Sequence, residues 1–99
     1  MTDLSPQTQA EITREIRIIN EKGLHARASA KFVETVERFD ARAVVAKDGE
    51  RVSGDSIMGL LMLVAPRGST ITVTTSGPQA GPLMEALERL IADYFGEGG

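Results

Sequence analysis

Cysteine is absent from the sequence, and histidine occurs only once, at position 25. Without cysteine the chain cannot form disulfide bonds, zinc–thiolate sites or thiol nucleophiles, which suits a reducing compartment. A lone histidine cannot build a histidine metal cluster within one chain, so we expect neither a metal site nor a cofactor. Any nucleophilic or acid–base role of an imidazole must therefore fall on His25.

Aromatic residues and long apolar runs are also scarce. Three Phe, one Tyr and no Trp offer little for stacking on bases, and the net charge of −3 gives no general affinity for nucleic acid. No apolar run approaches the roughly 20 residues that cross a bilayer. The polar start of the chain, Met1 to Glu11, lacks the basic flank and apolar stretch of a secretory signal. We expect a cytoplasmic protein that binds neither nucleic acid nor membrane.

The length of 99 residues fits one domain with a workable core. Residues 1–12 supply few apolar groups, and they are predicted to form a flexible N-terminal tail. Residues 13–96 then form the single domain.

Hydrophobic periodicity predicts seven elements in the order β-α-β-β-α-β-α. The predicted strands lie near residues 14–18, 41–47, 50–53 and 70–75, and the predicted helices near 26–39, 57–63 and 80–95. Asp48-Gly49 predicts a tight hairpin turn. The apolar segment 57–63 is interpreted as a short helix, although its periodicity also fits a buried strand. The fold class is α+β: an open-faced sandwich with a four-stranded antiparallel sheet under three helices.

The chemistry-bearing segment is Gly23-Leu24-His25-Ala26-Arg27, at the predicted start of the first helix. The first backbone N–H groups of a helix lack internal partners and lie at the positive end of its dipole, which makes an anion site. Ala26 and Arg27 are the expected backbone donors to a phosphate, and the Arg27 side chain adds a fixed positive charge. A neutral imidazole there could attack a phosphoryl group. From the residues alone, the alternative is that His25 is only a surface or helix-capping histidine.

The motif resembles the active-site signature of the HPr family, the histidine-containing phosphocarriers of the bacterial phosphoenolpyruvate-dependent phosphotransferase system. A second family segment, Ser56-Ile57-Met58-Gly59, follows at the expected distance, and the order of elements matches from about Arg14 to Phe95. The resemblance implies that His25 accepts a phosphoryl group on Nδ1 from phosphorylated enzyme I. It then passes the group to an enzyme IIA, while Arg27 steadies it. The implied protein is a monomeric carrier, not an enzyme with its own small-molecule turnover.

The resemblance also implies a docking surface on the first two helices and a regulatory site. The candidates for apolar partner contact are Ala30, Ile57, Met58 and Leu61, for which burial in the core is the alternative. Ser56 is predicted to cap the short helix. It also matches the serine that an HPr kinase/phosphorylase modifies in some bacteria, where a phosphate would add negative charge to the docking surface.

The sequence departs from the family pattern at several positions. Ala28 stands where proline is common, which keeps an N–H donor and loses rigidity at the helix entry. Lys22 replaces a small polar residue, and Asp55 would repel a phosphate on Ser56.

The residues leave open whether the carrier serves sugar uptake or a nitrogen-related regulatory branch. The other classes considered are a regulatory binding module acting through Ser56, a small nucleic-acid binder and a hydrolase. The regulatory module is disfavoured because His25 and Arg27 are retained. The nucleic-acid binder is disfavoured by the acidic charge balance, and the hydrolase by the lack of a second nucleophile–base pair.

Overall fold

Four strands and three helices follow one another in the predicted order in a computed structural model, which describes residues 11–97. The strands are β1 (Glu11–Arg17), β2 (Arg42–Lys47), β3 (Glu50–Ser53) and β4 (Thr70–Ser76), and the helices are α1 (Ala26–Glu37), α2 (Ile57–Met62) and α3 (Ala80–Ala92). A short 3₁₀ turn, Tyr94–Gly96, follows α3; we call this segment together with Glu97 the C-terminal hook.

The sheet has the strand order β1-β4-β2-β3, and every neighbouring pair is antiparallel. On the central strand β4, Ile71, Val73 and Thr75 are buried, whereas the intervening threonines are wholly or partly exposed. This alternation is the period of two that a sheet with one covered face requires. The predicted antiparallel open-faced sandwich is confirmed.

The core lies between this face of the sheet and the helices. Val45 on β2 stands opposite Val73 on β4, and both are fully buried. The helices contribute buried side chains at helical spacing, with Phe32 and Val36 from α1 and Leu83, Leu87 and Ile91 from α3. The buried stripes therefore fix which face of each helix packs on the sheet.

Asp48 and Gly49 form the predicted tight turn between β2 and β3. Both have positive φ, 51° and 85°, as the two central positions of a type I′ hairpin turn require. Lys47 and Glu50 pair on either side of it.

Two predicted element boundaries differ most from the structure. Glu11 and Ile12, assigned to the tail, are the first residues of β1, where Ile12 pairs with Thr75; the rest of the predicted tail lies outside the described residues. The last helix ends at Ala92 rather than continuing to Phe95. Tyr94, predicted in its apolar stripe, is exposed, and Phe95 is fully buried with φ 53°. A left-handed backbone cannot continue an α-helix, so the chain reverses there.

Candidate functional site

His25 is the N-cap of α1. Its backbone is extended, with φ −80° and ψ −174°, and its carbonyl accepts the first helical hydrogen bond from the Ser29 N–H at 2.8 Å. The loop before it is fixed by Gly23, whose φ is +64°, and by the Leu24 N–H, which donates to the Ala65 carbonyl at 2.9 Å. The predicted placement of the histidine at a helix start is confirmed.

The two imidazole nitrogens have different partners. Nδ1 accepts a hydrogen bond from the Arg27 backbone N–H at 3.3 Å, so its lone pair faces the free amides of α1. Nε2 lies 2.5 Å from Glu97 Oε2, and a carboxylate can only accept. These partners assign the proton of the neutral ring to Nε2 and leave a lone pair on Nδ1. About 27% of the side chain is exposed.

Glu97 is held by a second side chain. Asn20 Nδ2 donates to Glu97 Oε1 at 3.0 Å and to the Gly23 carbonyl at 2.8 Å, and Asn20 is fully buried. Partial burial acts to raise the pKa of Glu97, but the hydrogen bonds from Asn20 and His25 and the electrostatic attraction of His25 and Lys22 outweigh it. The pKa of Glu97 is therefore lower than that of an ordinary glutamate, and the group is ionised near neutral pH.

A cleft of about 300 Å³ opens in front of the imidazole. It is lined by Glu21, Lys22, His25, Arg27, Lys31, Gly96 and Glu97. Lys31 Nζ donates to the Phe95 carbonyl at 2.7 Å and so ties the C-terminal hook to α1. Lys22 and Arg27 are both exposed. Within residues 11–97 the Arg27 guanidinium has no salt-bridge partner, so the cleft offers a positive group for an anion.

The predicted phosphate-binding donors stand at the start of α1. Ala26 and Arg27 are its first two residues, and the Arg27 N–H points at Nδ1. Ala28, at the position where the family commonly has proline, is fully buried. The role of Ala26 and Arg27 in phosphate binding remains a prediction.

The predicted contact residues lie on α1 and α2. Ile57 and Met58 are exposed, Met58 to 68%, whereas Ala30 and Leu61 are half-buried. Two exposed apolar residues were missed, Met62 at 70% and Val64 at 71%. Met62 lies one helical turn from Met58, so helical spacing could have found it. Leu61 and Val64 also border a groove that reaches His25.

Ser56 is the N-cap of α2, as predicted. Its Oγ accepts a hydrogen bond from the Gly59 N–H at 2.9 Å. The side chain of Asp55 accepts one from Ser53 Oγ at 2.6 Å. Ser56 is half-buried and adjoins the exposed Ile57 and Met58.

Glu97 and Asn20 were missed by sequence reasoning. Glu97 lies 72 positions from His25, and no local pattern links them. Among residues 11–97 there is no cluster of three or more His, Cys, Asp or Glu residues able to hold a metal ion. Nor is any helix in that range long and apolar enough to cross a membrane.

Comparison with known proteins gives consistent matches. The family model described as "PTS HPr component phosphorylation site" matches residues 12–93. The phosphocarrier protein HPr of Neisseria meningitidis serogroup A is 48% identical over 87 residues, which cover 88% of this chain and 98% of that protein. The HPr of Cupriavidus necator is 46% identical over the same shares of the two chains.

Solved structures match equally well. The crystal structure of HPr-C-His from Thermoanaerobacter tengcongensis has a TM-score of 0.81 at 38% identity and covers 89% of this chain and 97% of its own. An HPr from Bacillus anthracis has a TM-score of 0.79 at 38% identity, covering 83% and 98%.

An open-faced α+β sandwich with its histidine at a helix N-terminus defines a class of small phosphocarrier proteins. Within that class, the chain belongs to the HPr family of the phosphotransferase system.

Proposed function

We propose that His25 accepts a phosphoryl group on Nδ1 from phosphorylated enzyme I and passes it to an enzyme IIA protein. The observation that carries this proposal is the orientation of the imidazole, with Nδ1 toward the N-terminus of α1 and Nε2 on Glu97. The proposed carrier is a cytoplasmic monomer that needs no cofactor.

The transfer step requires only a lone pair and charge compensation. Nδ1 attacks the phosphorus of the donor, a new Nδ1–P bond forms, and the bond from phosphorus to the donor breaks. The 3.3 Å hydrogen bond from the Arg27 N–H to Nδ1 is long, so little is lost when phosphorus takes its place. That N–H can then donate to a phosphoryl oxygen.

The side-chain charges of the cleft support the same step. The exposed Arg27 guanidinium can contact the phosphoryl oxygens with paired donors, and the Lys22 ammonium adds positive charge. The return transfer to the acceptor uses the same groups. Arg27 is therefore proposed as the stabilising residue and Ala26 and Arg27 as the backbone donors.

The proposed docking surface consists of Ala30, Ile57, Met58 and Leu61, extended by the missed residues Met62 and Val64. Exposed methionines suit a surface that meets more than one partner, because the thioether side chain adapts its shape. The surface adjoins the cleft through Leu61 and Val64, so a partner seated on it would reach His25.

The test of the carrier role is incubation with enzyme I and phosphoenolpyruvate, followed by intact mass and acid treatment. We expect one acid-labile phosphate on the parent chain and none on His25→Ala. Arg27→Ala should still be labelled, but ten- to a hundredfold more slowly, as expected from the loss of a charged hydrogen-bonding group. Absence of label on the parent with a working enzyme I would overturn the proposal.

The branch is decided by the acceptor. Phosphorylated chain would be mixed with a sugar-specific enzyme IIA and, separately, with a nitrogen-branch enzyme IIA. The faster transfer identifies the branch, since both acceptors would react with the same His25.

We also propose that phosphorylation of Ser56 regulates docking. Its Oγ lies at the N-terminus of α2, beside the exposed Ile57 and Met58. A phosphate there adds about two negative charges on the docking surface, which opposes the approach of an acidic partner or a phosphoryl group.

The regulatory role is tested with an HPr kinase and ATP. We expect an acid-stable phosphate on the parent and none on Ser56→Ala, with slower labelling of His25 in the modified chain. Equal rates of His25 labelling with and without the Ser56 phosphate would contradict regulation, even if the serine is modified.

A further inference from the structure

We propose that Glu97 is a positioning residue that accelerates phosphoryl transfer to His25. It does so by holding the imidazole proton on Nε2 and stabilising the positive charge that the ring gains. This inference rests on the proposed carrier role of His25 and goes beyond it by assigning a role to the C-terminal hook.

Two unusual backbone conformations, followed by a glycine, place this carboxylate. Tyr94, Phe95 and Gly96 are successive residues with positive φ, at 57°, 53° and 77°. Non-glycine residues adopt this region at a cost, so tertiary contacts must hold the segment. Phe95 is fully buried in the core, and Lys31 Nζ donates to its carbonyl. These two anchors turn the chain back toward α1.

Both carboxylate oxygens of Glu97 have a partner. Oε1 accepts from the buried Asn20 and Oε2 from His25 Nε2. The side chain of Glu97 is only 14% exposed, so water competes little for these bonds. A carboxylate fixed by two donors needs no reorganisation when charge develops on the imidazole, which is the condition for electrostatic catalysis.

The contact between Glu97 and Nε2 affects phosphoryl transfer through the charge of the imidazole ring. When Nδ1 bonds to phosphorus while Nε2 keeps its proton, the ring becomes an imidazolium, and Glu97 stabilises that charge. In the return step the Nδ1–P bond breaks, its electron pair returns to Nδ1, and the ring leaves as neutral imidazole. If Nε2 had lost its proton, the ring would have to leave as an imidazolate anion. Keeping the proton on Nε2 therefore gives the return step a neutral leaving group, while the stabilised positive charge lowers the barrier of the accepting step.

The first measurement examines the unphosphorylated chain by ¹⁵N NMR with labelled histidine. His25 is the only histidine, so the spectrum contains one ring. At alkaline pH we expect the Nε2–H tautomer, with a ring proton that exchanges slowly with water. In Glu97→Ala that proton should exchange at least about tenfold faster, because its charged acceptor is gone. An Nδ1–H tautomer in the parent, or the same exchange rate in the variant, would overturn the inference.

The second measurement is rapid-quench phosphoryl transfer from enzyme I to the chain and from the chain to enzyme IIA. Glu97→Gln keeps an oxygen acceptor but removes the charge. We expect the limiting rate of transfer from enzyme I to fall about ten- to a hundredfold, the equivalent of a lost charge-assisted hydrogen bond. The limiting rate of the return transfer should fall less, because loss of the charge also destabilises the phosphorylated ring from which that step starts. The concentration of chain at half-maximal rate should change little, since Glu97 acts on the ring rather than on docking.

The matched control is Glu37→Gln, which removes one exposed carboxylate from the other end of α1. It should transfer at the parental rate. Parental rates in Glu97→Gln would overturn the inference about Glu97 and leave the carrier role standing. Failure of the parent to accept phosphate would instead overturn the carrier role, while the NMR measurement would still report on the Glu97 contact.

Discussion

Gly23 shows how a single residue sets the entry to the site. A Cβ at this position would lie 2.5 Å from the Ala65 carbonyl oxygen and 2.8 Å from Pro66 Cα. The same residue has φ +64°, which favours glycine. The site loop thus passes the segment after α2 at a distance that no side chain permits, and His25 is placed by that close approach.

We predict that Gly23→Ala lowers the free energy of unfolding by about 2–4 kcal/mol, the sum of a left-handed backbone penalty and an overpacking penalty. Urea denaturation measures it. Gly49→Ala is the control, because Gly49 has φ +85° but no atom within 4 Å of the added Cβ. Only the left-handed backbone penalty of about 1–2 kcal/mol applies there. Equal losses in the two variants would show that the contact with Ala65 contributes nothing.

At the scale of elements, local sequence signals predicted the helix starts well. The N-cap of α2 follows from Ser56, and its hydroxyl accepts the predicted backbone hydrogen bond. Strand β3 has the predicted bounds, because Asp48-Gly49 fixes the turn before it. These features depend on residues only a few positions apart, so they can be predicted from the sequence.

The end of α3 is the element that local pattern could not predict. Tyr94 continues the apolar spacing of Leu87 and Ile91, and this favoured a longer helix. Burial of Phe95 and the bond from Lys31 to its carbonyl instead reverse the chain after Ala92. The reversal depends on contacts with α1, such as that of Lys31, which lies 64 positions before Phe95. Hydrophobic periodicity contains no information about contacts over such a distance.

At the scale of the whole molecule, the contact between the hook and α1 couples stability to pH. The folded-state pKa of Glu97 is below the ordinary value of 4.5. A depressed carboxyl pKa contributes stability that is complete above the unfolded-state value and is lost as pH falls through the folded-state value. The contribution of Glu97 should thus be full above about pH 4.5 and fade below it.

We predict that the parent exceeds Glu97→Gln in free energy of unfolding at pH 6, and that the difference shrinks by pH 3. Chemical denaturation at the two pH values measures it, with Glu37→Gln reporting the loss of a surface charge alone. A difference that grows as the pH falls would contradict the assigned direction.

The sequence by itself determined the class of fold and the place of His25 at the start of a helix. The signals that predict these features are local: the period of the apolar residues, the Asp48-Gly49 turn and the Gly23–Arg27 motif. Each indicates a local structure for a known physical reason. Only the tertiary structure decided which nitrogen of His25 is free. That choice requires Asn20, Lys31, Phe95 and Glu97 to meet at the N-terminus of α1, and only packing of the core brings such distant residues together.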